Sequence, residues 1–175
     1  ESYPEKAPWH NVNIVFTHDV IGPTDYTPVT FTNVDYPHLT TYSHELALAI
    51  LFQSGWQHYA DAVEGYRDLP KAPKTLLQTL PVTWQETRVL MGRPADYVVM
   101  ARKAENGWYI GGINGKAEEK QVTLVLDDLG FGNVEGQLIA DGESQEEFAI
   151  STVSAADSIS ITMQPNGGFS LSFVE

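Results

Sequence analysis

The sequence contains no cysteine, which excludes a disulfide framework and a thiolate metal site. Basic residues are also scarce, since 10 Lys and Arg stand against 23 Asp and Glu and give a formal net charge of −13. A chain of that charge lacks the basic surface that binds nucleic acid. No apolar run approaches the ~18 residues of a membrane-spanning helix, and the N-terminus carries no signal-peptide pattern. The acidic surface suits neutral or cationic partners.

The first eighty residues mix strand and helix signals. Short apolar runs favour strands, and apolar residues at helical spacing favour helices that are interrupted by proline. The predicted elements are a strand at Val12–Phe16, a helix at Ser43–Phe52 with Ser43 as its N-cap, a strand at Trp56–Ala60 that ends at Asp61, and helical pieces at Ala62–Tyr66 and Pro73–Leu80. This β, α, β, α order is typical of the closing units of a (β/α)8 barrel.

From Thr83 onward the pattern changes to short strands, each bounded by Gly, Asn, Asp or Pro. Closely spaced short strands of this kind predict an antiparallel β-sandwich or barrel. The predicted strands are Asp96–Lys103, Trp108–Asn114, Gln121–Leu126, Glu135–Ala140, Glu146–Val153, Ser158–Met163 and Gly168–Val174.

Polar and aromatic side chains crowd the segment that follows the first predicted strand, from Thr17 to Pro28. In an α/β barrel the functional residues lie where a strand ends and its loop begins. A strand this close to the N-terminus leaves no room for the rest of a barrel. We therefore expect the chain to begin within a domain, with the missing part supplied by the preceding part of the same protein or by a second copy. We also expect Val12–Phe16 and the inner face of Leu46–Phe52 to expose a large apolar patch.

Several motifs, spread over roughly residues 10 to 115, carry a family resemblance. They are His10-Asn11, Phe16-Thr17, Gly22-Pro23, Asp25-Tyr26-Thr27-Pro28, His44-Glu45-Leu46-Ala47, Ser54-Gly55-Trp56-Gln57, Ala60-Asp61, Pro81-Val82-Thr83-Trp84-Gln85-Glu86-Thr87, Ala101-Arg102-Lys103 and Trp108-Tyr109-Ile110-Gly111-Gly112-Ile113-Asn114. In order and spacing they resemble glycoside hydrolase family 97, the calcium-dependent α-glucosidases and α-galactosidases.

The resemblance implies a mainly β chain with an α/β N-terminal part. Residues 1–81 would be the last units of the catalytic (β/α)8 barrel, and residues 82–175 would be an antiparallel β-sandwich. The intact enzyme would cleave α-glucosidic or α-galactosidic bonds of an oligosaccharide substrate in the periplasm or outside the cell. Its calcium would be held by several carboxylates that this chain lacks, and we expect the chain alone not to retain the ion.

The same resemblance assigns the candidate site residues. Glu1 matches the general acid and a calcium ligand, although it could equally be an ordinary terminal residue. His18 stands where the family has arginine, which replaces a fixed cation by a titratable ring. Asp25 and Tyr26 would contact the sugar or organise their loop. His44 would approach the substrate or cap its helix.

Several residues of the second half allow two interpretations. Trp84 could stack on a sugar and the Glu86 carboxylate could bind it. However, Trp84 falls at the junction of the two regions and is expected to fill that interface. Gln85 replaces the family's aspartate, which weakens a catalytic role there. Trp108 and Tyr109 lie on a predicted strand and are expected to be core and surface residues of the sandwich.

The sequence is also compatible with two other functions. One is a stand-alone β-sandwich module that binds a carbohydrate or a protein partner without catalysis. The other is a scaffold domain with no ligand. Neither needs an active-site loop in the first eighty residues, and that loop favours the enzyme interpretation. We expect the 175-residue chain by itself to be inactive.

Overall fold

A computed structural model describes residues 4–33, 37–126, 129–130 and 132–174. The first half of the chain is helical and the second half is made of strands. After a 3-10 turn at Pro4–Lys6, the helices are α1 (Ala7–Phe16), α2 (His18–Ile21), α3 (Tyr42–Leu51), α4 (Val63–Arg67) and α5 (Lys71–Thr79). The strands are β1 (Glu86–Arg93), β2 (Tyr97–Ala104), β3 (Gly107–Asn114), β4 (Lys120–Leu124), β5 (Glu135–Asp141), β6 (Phe148–Ser154), β7 (Ile159–Met163) and β8 (Gly168–Val174).

The strands form two antiparallel sheets, which confirms the mainly β prediction. One sheet has six strands in the order β1-β2-β3-β8-β5-β6, and the other has two strands, β4 and β7. All seven predicted strands are present, as β2 to β8, with ends that differ by at most two residues. The sequence interpretation missed β1, a largely exposed strand at one edge of the larger sheet.

The two sheets enclose an apolar core of their own. Val99 and Ile110 of the larger sheet pack with Leu124 and Ile161 of the smaller one, and Phe169 and the other members of this core are likewise buried. Along β2, β3, β7 and β8 alternate residues point to this core, because side chains along a strand alternate between faces.

The outer face of the larger sheet is covered by helices. Every residue of α3 from Ser43 to Leu51 is buried, as expected of a helix that is enclosed between layers. This helix packs on β3 and β8. A Cβ atom at Gly168 would lie 2.8 Å from the Cα of His44, and glycine at that position therefore allows the helix to approach the sheet closely. The boundary between residues 81 and 82 stays a prediction.

The predicted strand at Val12–Phe16 is wrong, because these residues form the second half of α1. Pro8, Asn11, Val12 and Val15 are buried together, at the i, i+3, i+4, i+7 spacing of one helix face. The run of β-branched residues suggested a strand, but burial against α3 and β2 selects the helix. The helix predicted at Ser43–Phe52 is confirmed as α3, although its N-cap is Thr41 and not Ser43.

The predicted exposure of this region is also wrong. Val12 is 0% exposed and Leu46–Phe52 are all buried, since Val98 and Met100 of β2 cover α1 and α3 within the same chain. Large exposed apolar side chains lie elsewhere in the first half, at Ile21, Trp56, Val20 and Val63.

The part of the chain between α2 and α4 brings two segments side by side without forming a strand. The Thr24 N–H donates to the Gln53 carbonyl at 2.8 Å, and the Ala60 N–H donates to the Pro28 carbonyl at 3.0 Å. Both segments therefore run in the same direction. Among the described residues before Glu86 there is no strand, and the one predicted at Trp56–Ala60 is absent. The barrel units are not shown in this chain.

The helices are short. None of them, in the described part of the chain, combines the length and the apolar character that crossing a lipid bilayer requires.

Candidate functional site

The predicted site residues occupy three different environments. Glu1 lies outside the described residues. His18 begins α2 and Asp25 follows the Gly22–Pro23 turn, and both side chains are exposed. Tyr26 is half-buried and His44 is fully buried. Of the four predicted site residues that the structure describes, it therefore brings together only Tyr26 and His44, and sugar contact by any of the five stays a prediction.

Tyr26 and His44 are connected through Asn11. The Tyr26 hydroxyl donates to Asn11 Oδ1 at 3.4 Å, and Asn11 Nδ2 lies 3.1 Å from His44 Nε2. The Tyr26 ring also packs edge-on against Phe52, with ring centroids 5.0 Å apart. Since an amide NH₂ only donates, His44 Nε2 accepts and the ring carries its proton on Nδ1. This arrangement ties α1, α3 and the Gly22–Pro28 loop to one another.

His44 is neutral at ordinary pH. Burial lowers its pKa to about 4, and the backbone of Gly167 and Asn166 opposes that shift in part. A neutral acceptor is the form that the Asn11 amide requires, because a charged imidazole would present a second donor to it. His44 is therefore positioned to hold the helix and the loop together.

We expect this buried histidine to make the protein less stable in acid. Its pKa is near 6.5 in the unfolded chain and about 4 in the folded one. As pH falls below 6.5, the unfolded state takes up a proton that the folded state refuses, and stability decreases until the pH reaches about 4. The loss is on the order of 3 kcal/mol. Denaturant titrations between pH 4 and pH 7 measure it.

The matched variants are His44→Gln and, at an exposed histidine, His10→Gln. The first should lose this pH dependence and the second should keep it. Asp19 and Asp141, whose pKa values burial raises, act in the opposite sense, and the difference between wild type and variant isolates His44. An NMR titration that places the pKa of His44 near 6.5 would contradict the assignment.

A buried arginine lies at the C-terminal end of α3. Arg102 of β2 is 1% exposed, and its Nη2 donates to the Leu51 carbonyl at 2.6 Å. Its guanidinium carbon lies 5.6 Å from the centroid of the Trp84 ring. Burial lowers the pKa of Arg102 to about 10, and the nearby charge of Asp19 opposes the shift. The cation therefore stabilises the carbonyl end of the helix.

Trp84 lies between the two halves, as predicted, because it packs against a cluster that contains Leu69 and Leu76 of the helical half. Its ring packs on Tyr109, with centroids 5.6 Å apart, as well as on Arg102. Trp108 and Tyr109 are buried, at 6% and 1% exposure. Trp108 faces the core between the sheets, as expected of a sandwich core residue. Tyr109 faces the helices, and the expectation that one of the two lies at the surface is wrong because the helical half covers that face of the sheet.

Asp141 connects the N-cap of α3 to the larger sheet. At the end of β5, it accepts hydrogen bonds from the Thr41 hydroxyl and, at 2.9 Å each, from the N–H groups of Gln164 and Gly168. Burial raises the pKa of Asp141, while these three donors lower it. No sequence motif singled out this residue, because its partners are distant in the chain.

The Asp61 side chain holds a neighbouring loop of the same chain by hydrogen bonds. Its carboxylate accepts hydrogen bonds from the N–H groups of Phe31 and Thr32 at 2.6 and 3.1 Å, and from the Thr32 hydroxyl at 2.6 Å.

Beside the Phe31–Thr32 loop, a cavity of about 530 Å³ is lined in part by Tyr42, Phe148 and the Glu146 carboxylate. Its size lies within the range of small-molecule sites.

A calcium site would need several oxygen ligands close together. No group of three or more His, Asp or Glu side chains suited to a metal occurs among the described residues. The described residues therefore do not fit a calcium ion, and Glu1 alone could supply only one side-chain carboxylate.

The fold defined by these observations is a two-sheet antiparallel β domain that is joined to a helical segment by one buried helix. The family described as "Glycosyl-hydrolase 97 C-terminal, oligomerisation" matches residues 83–174, more than half of the chain. The chain belongs to this family, and the resemblance noted in the sequence is confirmed.

Two curated relatives extend the match into the first half. A probable retaining alpha-galactosidase of Streptomyces bingchenggensis is 35% identical over 161 residues, which is 91% of this chain and 25% of the relative. A retaining alpha-galactosidase of Bacteroides thetaiotaomicron is 27% identical, over 93% of this chain and 27% of the relative. The chain spans about a quarter of the length of these relatives.

Solved structures share the same fold. A glycoside hydrolase family 97 enzyme from Pseudoalteromonas sp. strain K8, in complex with acarbose, matches with a TM-score of 0.83 and 25% identity, over 95% of this chain and 28% of that chain. A beta-arabinopyranosidase matches with a TM-score of 0.87 and 23% identity, over 97% of this chain and 28% of that chain. Helices and strands together therefore form a recurring unit.

Proposed function

We propose that this chain is the C-terminal part of a retaining glycoside hydrolase that cleaves α-galactosidic bonds in oligosaccharides, with α-glucosidic bonds as the alternative substrate. The observation that carries the proposal is the 35% identity to the Streptomyces relative over 91% of the chain. An alignment of 161 residues cannot be confined to residues 83–174. It therefore includes the helical half with the loop from Gly22 to Pro28.

The helical half would complete a barrel in the intact enzyme. Two features support this part of the proposal. The Thr24–Gln53 and Pro28–Ala60 hydrogen bonds align two segments in parallel, which is the relation between neighbouring barrel strands. Ile21 and Trp56 are 91% and 79% exposed, and a further layer of chain would cover these apolar side chains.

Glu1 would be the general acid of this enzyme, and calcium would be bound mainly by carboxylates outside this chain. A retaining enzyme needs two carboxyl groups about 5 Å apart, one as acid and one as nucleophile. The chain would supply the acid, and His18, Asp25 and Tyr26 would lie near the sugar. We place the enzyme in the periplasm or outside the cell, where it would encounter oligosaccharide substrates.

The strand-rich half would join copies of the enzyme. The family description includes oligomerisation, and since the net charge of −13 makes copies repel one another overall, uncharged surface is favoured for the contact. A second copy is accordingly the proposed protein partner.

We expect the 175-residue chain alone to show no glycosidase activity, because at most one of the two required carboxyl groups lies within it. The assay uses nitrophenyl α-galactoside and α-glucoside with added calcium. The intact enzyme should hydrolyse the α-galactoside, and NMR should show that the first product keeps the α configuration.

Turnover by the isolated chain would contradict its assignment as a non-catalytic part. An intact enzyme that hydrolyses neither substrate would overturn the proposed activity. A glycan titration of the inactive chain tests the alternative of a carbohydrate-binding module, for which the cavity beside Tyr42 and Phe148 is the candidate surface.

A further inference from the structure

We propose that β6 pairs with β6 of a second copy in antiparallel orientation, which would continue the larger sheet across a two-fold axis. The inference rests on the proposed oligomerisation and adds to it the surface and the register. β6 is the last strand of the six-stranded sheet, and among the described residues it pairs only with β5.

The outer edge of β6 lacks the usual protection. An edge strand offers free backbone N–H and C=O groups, and most proteins protect it with charges, proline or a bulge. From Phe148 to Ser154, β6 has no charged residue, no proline and no glycine. Its seven pairs with β5 follow without a register shift, and its residues Ala149 to Thr152 are exposed.

The opposite edge of the same sheet is protected in the ordinary way. β1 carries Glu86, Arg88 and Arg93, and its register shifts between Val89 and Met91. A charged and bulged strand of this kind disfavours pairing with another chain. The sheet is therefore protected at one edge and open at the other, which points to a specific contact at β6.

Charge selects the antiparallel orientation and a second copy as the partner. Glu143, Glu146 and Glu147 precede β6 at one end. If Ser151, the middle residue, lies on the two-fold axis, these acidic side chains fall at opposite ends of the paired strands. A parallel pairing would stack them, at a cost from like-charge repulsion. An antiparallel strand is complementary to itself, as an isologous dimer contact requires.

The contact is small, and this limits the affinity. A seven-residue strand pair buries less than the ~1,200 Å² of a typical stable interface. We therefore expect reversible dimers with a Kd in the region of micromolar, unless neighbouring surfaces add to the contact. Sedimentation velocity of the 175-residue chain over a range of concentrations measures this association.

A single engineered cysteine tests the register, because the wild-type chain has none. Residues directly opposite each other in antiparallel strands have Cα atoms about 4.5–5.5 Å apart, a separation that a disulfide can bridge. Ser151→Cys should therefore form a covalent dimer under mild oxidation. The matched control is Val89→Cys, at an exposed position of β1, which should remain monomeric on a non-reducing gel.

Charge substitutions provide a second, reversible test. Ser151→Lys and Ser151→Glu should each weaken the dimer by at least about tenfold, because like charges would face each other. An equal mixture of the two variants should dimerise again. A dimer that persists in both variants, or a control cysteine that crosslinks equally well, would overturn the β6 assignment and leave oligomerisation through another surface. A wild-type chain that stays monomeric throughout would overturn both. Glycosidase activity is measured separately, and its loss or retention bears only on the proposed reaction.

Discussion

Substitution of Glu1 by glutamine is expected to lower the kcat/KM of the intact enzyme by about 10²–10⁴-fold on an unactivated disaccharide, because a general acid contributes a factor of that size. Glutamine keeps the shape of the side chain and removes the proton that the leaving oxygen needs. The effect should nearly disappear on a glycosyl fluoride, whose leaving group needs no proton. Steady-state kinetics on the two substrates measure both effects.

This pair of substrates separates an acid from a residue that only supports the fold. A structural defect would slow both reactions to the same extent. The matched control is Glu5→Gln, since Glu5 is an exposed acidic residue four positions along the chain. If the enzyme hydrolyses the disaccharide equally well with glutamine at position 1, the assignment of Glu1 is wrong.

Asp141→Ala is expected to lower the free energy of unfolding by about 3 kcal/mol, since the Thr41 hydroxyl and two backbone N–H groups, one buried and one half-buried, would lose their acceptor. Loss of the carboxylate also removes an unfavourable burial of charge, which is why the expected value is below the sum of three charged hydrogen bonds. For a chain of this size the melting temperature should fall by roughly 10 °C.

Asp157→Ala is the matched control, because Asp157 is exposed in the turn before β7. It should change stability by no more than about 0.5 kcal/mol. Asp141→Asn should lie between the two, since its one carbonyl oxygen can still accept from part of the donor set. Equal stability of Asp141→Ala and the wild type would show that the contact between α3 and the sheet depends on apolar packing alone.

The strand-rich half was predictable because its signals are local. Turn residues mark the ends of β2 to β8, and their side chains alternate about the sheet. β1 escaped prediction because its exposed edge carries charges and a bulge in place of a clean alternation. A strand of that kind is defined by its neighbour β2, which the sequence does not reveal locally.

The helical half was less predictable because tertiary contacts decide it. Val12 and Val15 have side chains that favour strands, but burial against Val98 and Met100 stabilises the helix instead. The Tyr26–Asn11–His44 contacts join residues 15 and 33 positions apart. The motif that contains His10 and Asn11 marked the region, but only the structure assigns Asn11 as the connecting residue.

The burial of α3 from Ser43 to Leu51 also affects how such domains can be exchanged between enzymes. The strand-rich segment 83–174 does not include the helices α1 and α3 that cover the outer face of the larger sheet. Transplanted alone, it would expose Met100, Ile113 and the other apolar residues that α3 and α1 now bury. A transferable cassette must begin ahead of Thr41, the N-cap of α3. Gene fusions that keep this domain functional are therefore expected to join within the helical half, well before the first strand.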